Sequence, residues 1–207
     1  APINSLSGLT GSSMIWAGKV SNASVNQQII QGTDKVGGSY VAFNEFGLYA
    51  SGSNNFTVAY ASGSAVSNVP VDTGFHIHTL VFNGNLSGNS NRLVYRVDGQ
   101  QRNLSFNGNN VSSSTEPAIT DIFFGCDATY NNYFTGSMGE VLLYNKTLSA
   151  TEITNTENYL FTKWNTIKAS PTPTVSPTPT PTPSITTSPS PSPTPTPSIT
   201  ASPSAAL

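Results

Sequence analysis

Cysteine is all but missing from the 207-residue chain: Cys126 stands alone, which excludes an internal disulfide and a four-ligand cysteine site. Charge is scarce too. Eight Lys and Arg face ten Asp and Glu, for a net charge of −2; with no cluster of basic side chains there is no electrostatic footprint for nucleic acid. No apolar run approaches the roughly 18 residues of a membrane span, so no membrane insertion is expected. The N-terminus lacks a charged-then-apolar leader, and the start at Ala1-Pro2 fits a processed, secreted chain.

What the chain does contain falls into two parts. Every Lys, Arg, Asp, Glu and Gly lies in residues 1–169, whereas residues 170–207 hold 12 of the 15 Pro and 19 Ser or Thr. This predicts a domain over 1–168 and a low-complexity stalk over 169–207. A domain of about 165 residues buries about 70% of its unfolded surface and needs no metal or disulfide to fold.

Residues 1–148 alternate short runs of Val, Ile, Phe, Tyr and Thr with Gly, Asn and Ser clusters, the pattern of an antiparallel sandwich. Strands are predicted at Ser12–Val20, Gln27–Gln31, Ser39–Asn44, Gly47–Ala50, Asn55–Ala61, Phe75–Phe82, Arg92–Val97, Gln101–Phe106, Ile119–Gly125 and Phe134–Tyr144. Asp98-Gly99 predicts a type I′ hairpin, because both central residues need positive φ. Ser149-Ala150-Thr151-Glu152 forms a capping box. It opens a helix ending near Lys163, whose stripe is Ile153, Leu160 and Trp164 with Tyr159 alongside.

The stalk repeats itself: Pro179–Ser192 reads PTPTPSITTSPSPS and Pro193–Ala206 reads PTPTPSITASPSAA. Proline fixes φ and keeps its predecessor out of the α region, so an extended, polyproline II-like tail is expected. It would reach on the order of 115 Å at about 3.1 Å per residue. Ser/Thr-rich sequence with Pro is also the composition of O-glycosylated stalks. The candidate positions are Thr172, Thr174, Thr178, Thr180, Thr182, Ser184, Ser190, Ser192, Thr194, Thr196 and Ser198; an undecorated linker is the alternative.

Asp72–Phe82 (DTGFHIHTLVF) resembles a strand of laminin-G-like, concanavalin A-like lectin/glucanase domains, with Phe75 where Trp is usual. Arg92–Gly99 (RLVYRVDG) resembles that family's hairpin, and Phe134–Asn145 (FTGSMGEVLLYN) a later strand. Thr147-Leu148-Ser149, Tyr159-Leu160 and Lys163-Trp164 resemble its closing helix. The resemblance implies an all-β jelly-roll sandwich of two antiparallel sheets with one short C-terminal helix. It leaves activity open, since the fold hosts enzymes, lectins, adhesion modules and structural units.

Glycoside cleavage needs two carboxyl groups about 5–9.5 Å apart. The family's laminarinase-type enzymes carry theirs as Glu-x-Asp-x-Glu on one strand face, but no two of the ten acids here are two or four residues apart. Asp121 and Asp127 have Gly125 and Cys126 between them. The expectation is therefore a non-catalytic protein with no catalytic residues and no required cofactor.

His76 and His78 share a strand face, but a zinc site needs a third ligand and none adjoins them, so His76 is expected to pack in the core. Calcium is a possible ligand, through the oxygens of Asp127, Asn131 and Asn132 or at Asp34; Asp and Asn serve equally as turn formers. For sugar binding, Tyr130 and Tyr133 interleave with Asn131 and Asn132 in a loop, whereas Tyr40, Tyr49 and Tyr60 lie in strands and Trp16 with Met14 reads as core. Arg92 and Arg96 share a strand face, with Arg102 across the hairpin: a candidate for sulfated or carboxylated glycans or a solvated face. Cys126 reads as a small buried hydrophobe.

Six N-glycosylation sequons occur, at Asn22, Asn55, Asn85, Asn103, Asn110 and Asn145. Chance alone gives about four, so placement decides, and Asn85 and Asn110 in loops come first. Two readings follow for an extracellular or cell-surface protein. The first is a structural glycoprotein, the repeating subunit of a fibre or surface layer with the stalk as its rod. The second is a carbohydrate-binding module tethered by a linker. A glucanase comes third.

Overall fold

The structure, a computed structural model, describes residues 6–33, 35–36, 39–40, 46–51, 55–60, 63–106, 108, 110–115 and 119–164. The chain divides into two units, Ala1–Pro171 and Thr172–Leu207. The expected polyproline II tail and its O-glycosylation candidates lie outside the described residues, as does Asp34.

Two antiparallel sheets make the sandwich. The first has five strands in the order β10 (Gln100–Arg102), β9 (Leu93–Val97), β8 (His76–Asn83), β1 (Gly11–Val20) and β13 (Gly136–Tyr144). The second has six: β11 (Leu104–Ser105), β7 (Gly63–Pro70), β6 (Asn55–Tyr60), β5 (Phe46–Ser51), β2 (Gln27–Thr33) and β12 (Asp121–Phe124). A two-stranded ribbon joins β3 (Lys35–Val36) to β4 (Ser39–Tyr40). Strands β10 and β11 are thus end strands of their sheets, and β13 and β12 are the other two.

The central strands β1 and β8 are apolar on both faces because both faces are covered. Met14, Trp16, Leu80 and Phe82 point between the sheets. Ile15, Ala17, Ile77 and Val81 point outward into a second cluster with Ile153, Leu160 and Phe161, all from helix α2 (Ala150–Trp164). A 15-residue helix is marginal alone, and this apolar contact is what holds it. Its capping box forms as the sequence indicates: Ser149 N donates to Glu152 Oε2 at 2.8 Å and Glu152 N to Ser149 Oγ at 3.3 Å.

The helix stripe differs from the expected one. Glu157 and Phe161 are on the buried side, while Tyr159 is exposed beside Lys163 and Glu140. Trp164 is half-buried and stacks on Phe75 at 5.8 Å.

The hairpin at Asp98-Gly99 has φ of 51° and 76° at its two central residues, as a type I′ turn requires. In β1 the register shifts between Ala17 and Gly18. A Cβ on Gly18 would lie 2.5 Å from Ser137 O and from the Trp16 ring, so the bulge needs glycine. Three elements lie outside the predicted ones: β3, β7, and a four-residue helix α1 (Asn89–Arg92), which ends at the first residue of the predicted strand Arg92–Val97.

Candidate functional site

The loop between β12 and β13 is fastened to β2 by the side chains of Gln27 and Gln31 and by the backbone amide of Gln28. Gln31 Oε1 accepts from Ala128 N at 2.7 Å, Gln27 Oε1 accepts from Thr135 N at 2.6 Å, and Gln28 N donates to Asn132 O at 2.8 Å. All three are buried. Polar residues in a strand ordinarily mark its solvent face; here that face is roofed by a loop whose backbone amides use the side chains as partners, as buried polar groups require. Nothing in the spacing QQIIQ indicates this.

Within the loop, Asp127 acts as a brace. Its Oδ1 accepts from Thr129 N, Thr129 Oγ1 and Asn131 N at 2.7–2.9 Å, and its Oδ2 from Asn132 Nδ2 at 2.7 Å. Partial burial pushes its carboxyl up, but the donors from Asn131, Thr129 and Asn132 outweigh that and hold it below the usual carboxylate range. Tyr130 and Asn132 take positive φ, 58° and 51°, a conformation uncommon outside glycine and kept where surroundings enforce it.

The result is that Tyr130 and Tyr133 stand 59% and 65% exposed on a loop whose backbone is fixed. Phe123 meets the Tyr130 ring edge-on at 5.9 Å. The carboxylate of Asp127, expected as a calcium ligand with Asn131 and Asn132, accepts from four N–H and O–H donors within the loop. Among the described residues no group of three or more His, Cys, Asp or Glu is arranged to hold a metal ion.

The histidines behave differently from one another. His78 is the core residue: it is buried, stacks on Trp16 at 4.7 Å, and its Nδ1 lies 2.7 Å from Tyr95 Oη. Burial, with the His76 charge second, pulls its pKa well down, so it is neutral. His76, expected in the core, instead lies between two carboxylates, with Nδ1 2.6 Å from Asp98 Oδ2 and Nε2 2.8 Å from Asp72 Oδ1. The turn residue Asp98 has a second task, since its Oδ1 accepts from Ile77 N at 2.9 Å.

The Asp98 contact, offset by desolvation and reinforced by Asp72, raises the His76 pKa from 6.5 to about 9. Folding therefore gains a contribution that is complete below pH 6.5, declines between 6.5 and 9 and is absent above 9. The His76 side chain is 26% exposed, and solvent screening reduces the gain to about 1–2 kcal/mol. Urea unfolding at pH 6 and pH 10 is expected to show this loss in the native chain, and a smaller one in His76→Gln.

The three arginines do not form one patch. Arg92 ends α1, donating from Nε to Leu86 O at 2.8 Å and from Nη1 to Val111 O at 2.7 Å. Arg96 is engaged by Glu157 beneath α2. Arg102 is in register with Tyr95, which faces the core between the sheets, so it leans to the opposite side of the sheet from Arg96. The hairpin register, which sets Gln101 rather than Arg102 opposite Arg96, separates them.

Cys126 is partly buried, and Asn22, Asn85, Asn103, Asn110 and Asn145 are exposed. The side chains of Asn55, Tyr40, Tyr49 and Tyr60 lie outside the described residues. No helix among the described residues is long and apolar enough to cross a membrane.

With sheets, closing helix and loop in view, comparison with known proteins places the chain in the concanavalin A-like lectin/glucanases superfamily, whose family model matches residues 16–154. The chain belongs to that family. No curated protein matches it.

Solved structures share the fold. The Ruminococcus gnavus IT-sialidase CBM40 superposes with a TM-score of 0.54 at 12% identity, covering 75% of this chain and 85% of that one. The same module bound to α2,3 sialyllactose gives 0.53 at 12% identity, with 72% and 83% covered. Trypanosoma rangeli sialidase gives 0.52 at 16% identity and covers 74% of this chain. This chain spans just under a quarter of that enzyme's length, 23%. At these identities the likeness is one of fold.

Proposed function

We propose that the protein is a non-catalytic, extracellular carbohydrate-binding module whose sugar platform is the Tyr130–Tyr133 loop. The observation that carries this is the rigid presentation of two exposed tyrosines by the Asp127 brace. A tyrosine offers an apolar ring for the C–H face of a pyranose and a phenol for its hydroxyls. Fixing such rings before binding removes the ordering cost that a mobile loop would incur. Asn131 and Asn132, exposed beside them, add amide donors and acceptors.

The family supports this reading because its superfamily includes lectins. The sugar-bound neighbour matched over most of its own length is a binding module, and its ligand makes sialylated glycans the first to try. A fibre subunit, the other reading of the sequence, draws chiefly on the stalk and gains no specific support from the described residues. On catalysis, Asp72 and Asp98, two carboxylates that converge among the described residues, are both occupied by His76, which favours a structural role for them.

Isothermal titration of the full chain with α2,3-sialyllactose and with neutral oligosaccharides is the test. Tyr130→Ala or Tyr133→Ala is expected to weaken binding about tenfold each, near 1.4 kcal/mol, and Asp127→Ala to weaken it by unbracing the loop. Binding that all three variants leave unchanged would remove the loop from the account.

A further inference from the structure

Far from the tyrosine loop, at the other end of the strand order in both sheets, β10 and β11 border a cavity of about 180 Å³. Ser90, Leu93, Gln101, Arg102, Asn103 and Leu104 line it. Arg102 leans into the sandwich here, and its Nε is buried without a hydrogen-bond partner. None of the ion pairs found among the described residues includes it. The Nε groups of the other two arginines are both used, Arg92's on Leu86 O and Arg96's on Glu157 Oε1.

A buried donor on a permanent cation is costly to leave unmade. In a chain with so few basic residues this charge is a single point in the cavity wall rather than part of a track for a polyanion. The buried Tyr95 phenol registers it: burial drives that group's pKa well up, and the Arg102 charge is the main opposing influence.

The walls narrow the ligand further. Leu93 and Leu104 offer an apolar side, while Ser90, Gln101 and Asn103 offer hydroxyl and amide groups. Ligand pockets for drug-sized molecules run from about 300 Å³ upward, so this one admits a single sugar ring in part. A planar guanidinium matches a planar carboxylate through two parallel hydrogen bonds.

We propose that the β10–β11 cavity is a second glycan subsite, which takes the carboxylate of an acidic monosaccharide against Arg102. This rests on the glycan-binding reading for the source of the carboxylate but not on the tyrosine loop, so the two fail separately.

The test is titration of the full, ¹⁵N-labelled chain, followed by amide shifts. The probes are methyl β-D-glucuronide, its methyl ester, methyl β-D-glucoside, N-acetylneuraminic acid and sodium sulfate. A free acid is expected to shift residues 101–104 saturably, with ester, glucoside and sulfate at least tenfold weaker. Arg102→Gln is expected to lose at least tenfold in affinity, with its other amide positions unmoved, and Arg102→Lys to lose less. The Tyr130→Ala, Tyr133→Ala double variant is expected to bind the acids at this site as the native chain does.

Equal binding of acid and ester, sulfate binding as tightly as the sugar acids, or an Arg102→Gln variant that binds normally overturns the proposal. Shifts confined to residues 125–133 overturn it while leaving the tyrosine loop standing. No shift at either place with any glycan overturns both.

Discussion

Replacing Glu157 with alanine is expected to cost about 3–5 kcal/mol, the range for breaking a buried ion pair by removing one partner. Glu157 is fully buried, and Arg96 grips it with two hydrogen bonds, Nε to Oε1 at 2.9 Å and Nη2 to Oε2 at 3.0 Å. Thr79 Oγ1 donates to the same Oε1 at 3.0 Å. The carboxylate thus joins α2 to β8 and β9 at once, amid an otherwise apolar contact. Its loss strands the Arg96 cation under the helix with only the Gly99 carbonyl, 2.7 Å from Nη2.

Urea unfolding measures the cost. The double variant Arg96→Met, Glu157→Leu is expected to recover most of it, since well-packed apolar residues often match a buried pair. Additive losses from the two single alanine variants would show that the pair does not act as a unit.

Trp16→Ala is expected to cost a similar 3–5 kcal/mol, as large aromatic truncations in cores do. Trp16 is fully buried, stacked on His78 at 4.7 Å and meeting Phe134 edge-on at 6.0 Å. Trp16→Phe separates two contributions. The indole Nε1 is buried without a hydrogen-bond partner, so removing it forfeits no hydrogen bond. A phenyl ring keeps much of the stack and leaves a smaller void. About 1–2 kcal/mol is expected for this variant, read from the same unfolding curves. A cost equal to that of alanine would mean that the indole's second ring carries the whole contact.

Much of this architecture was legible in the sequence because it rests on local rules. Asp98-Gly99 makes its turn by backbone geometry, and Ser149 with Glu152 caps its helix within one turn. Strands β1 and β8 declare themselves through short apolar runs, Met14–Ala17 and Leu80–Phe82. By contrast, β7 reads GSAVSNVP, whose small and polar residues imitate a loop; it is a strand because β6 and β11 pair with it.

The site was legible in part. Tyr130 and Tyr133 could be picked out as loop aromatics, but their bracing depends on Gln27, Gln28 and Gln31, residues about a hundred positions away in the chain. The partners of His76 were hidden similarly. Asp72 reaches it around a turn, and Asp98 reaches it only because β8 and β9 pair as they do. Glu157 stands outside the apolar pattern of its helix, because a charged residue inside a helix stripe makes sense only with Arg96 opposite it. Tertiary pairing of polar groups is the common element in these omissions, and no local period encodes it.

The most direct test of the central claim is a glycan array probed with the full native chain beside the Tyr130→Ala, Tyr133→Ala double variant, both confirmed folded by their unfolding transitions. The native chain is expected to retain a defined set of glycans, acidic ones among them, and the double variant to lose at least the neutral members of that set. A native chain that binds no glycan, or a double variant whose binding pattern is unchanged, would contradict that claim.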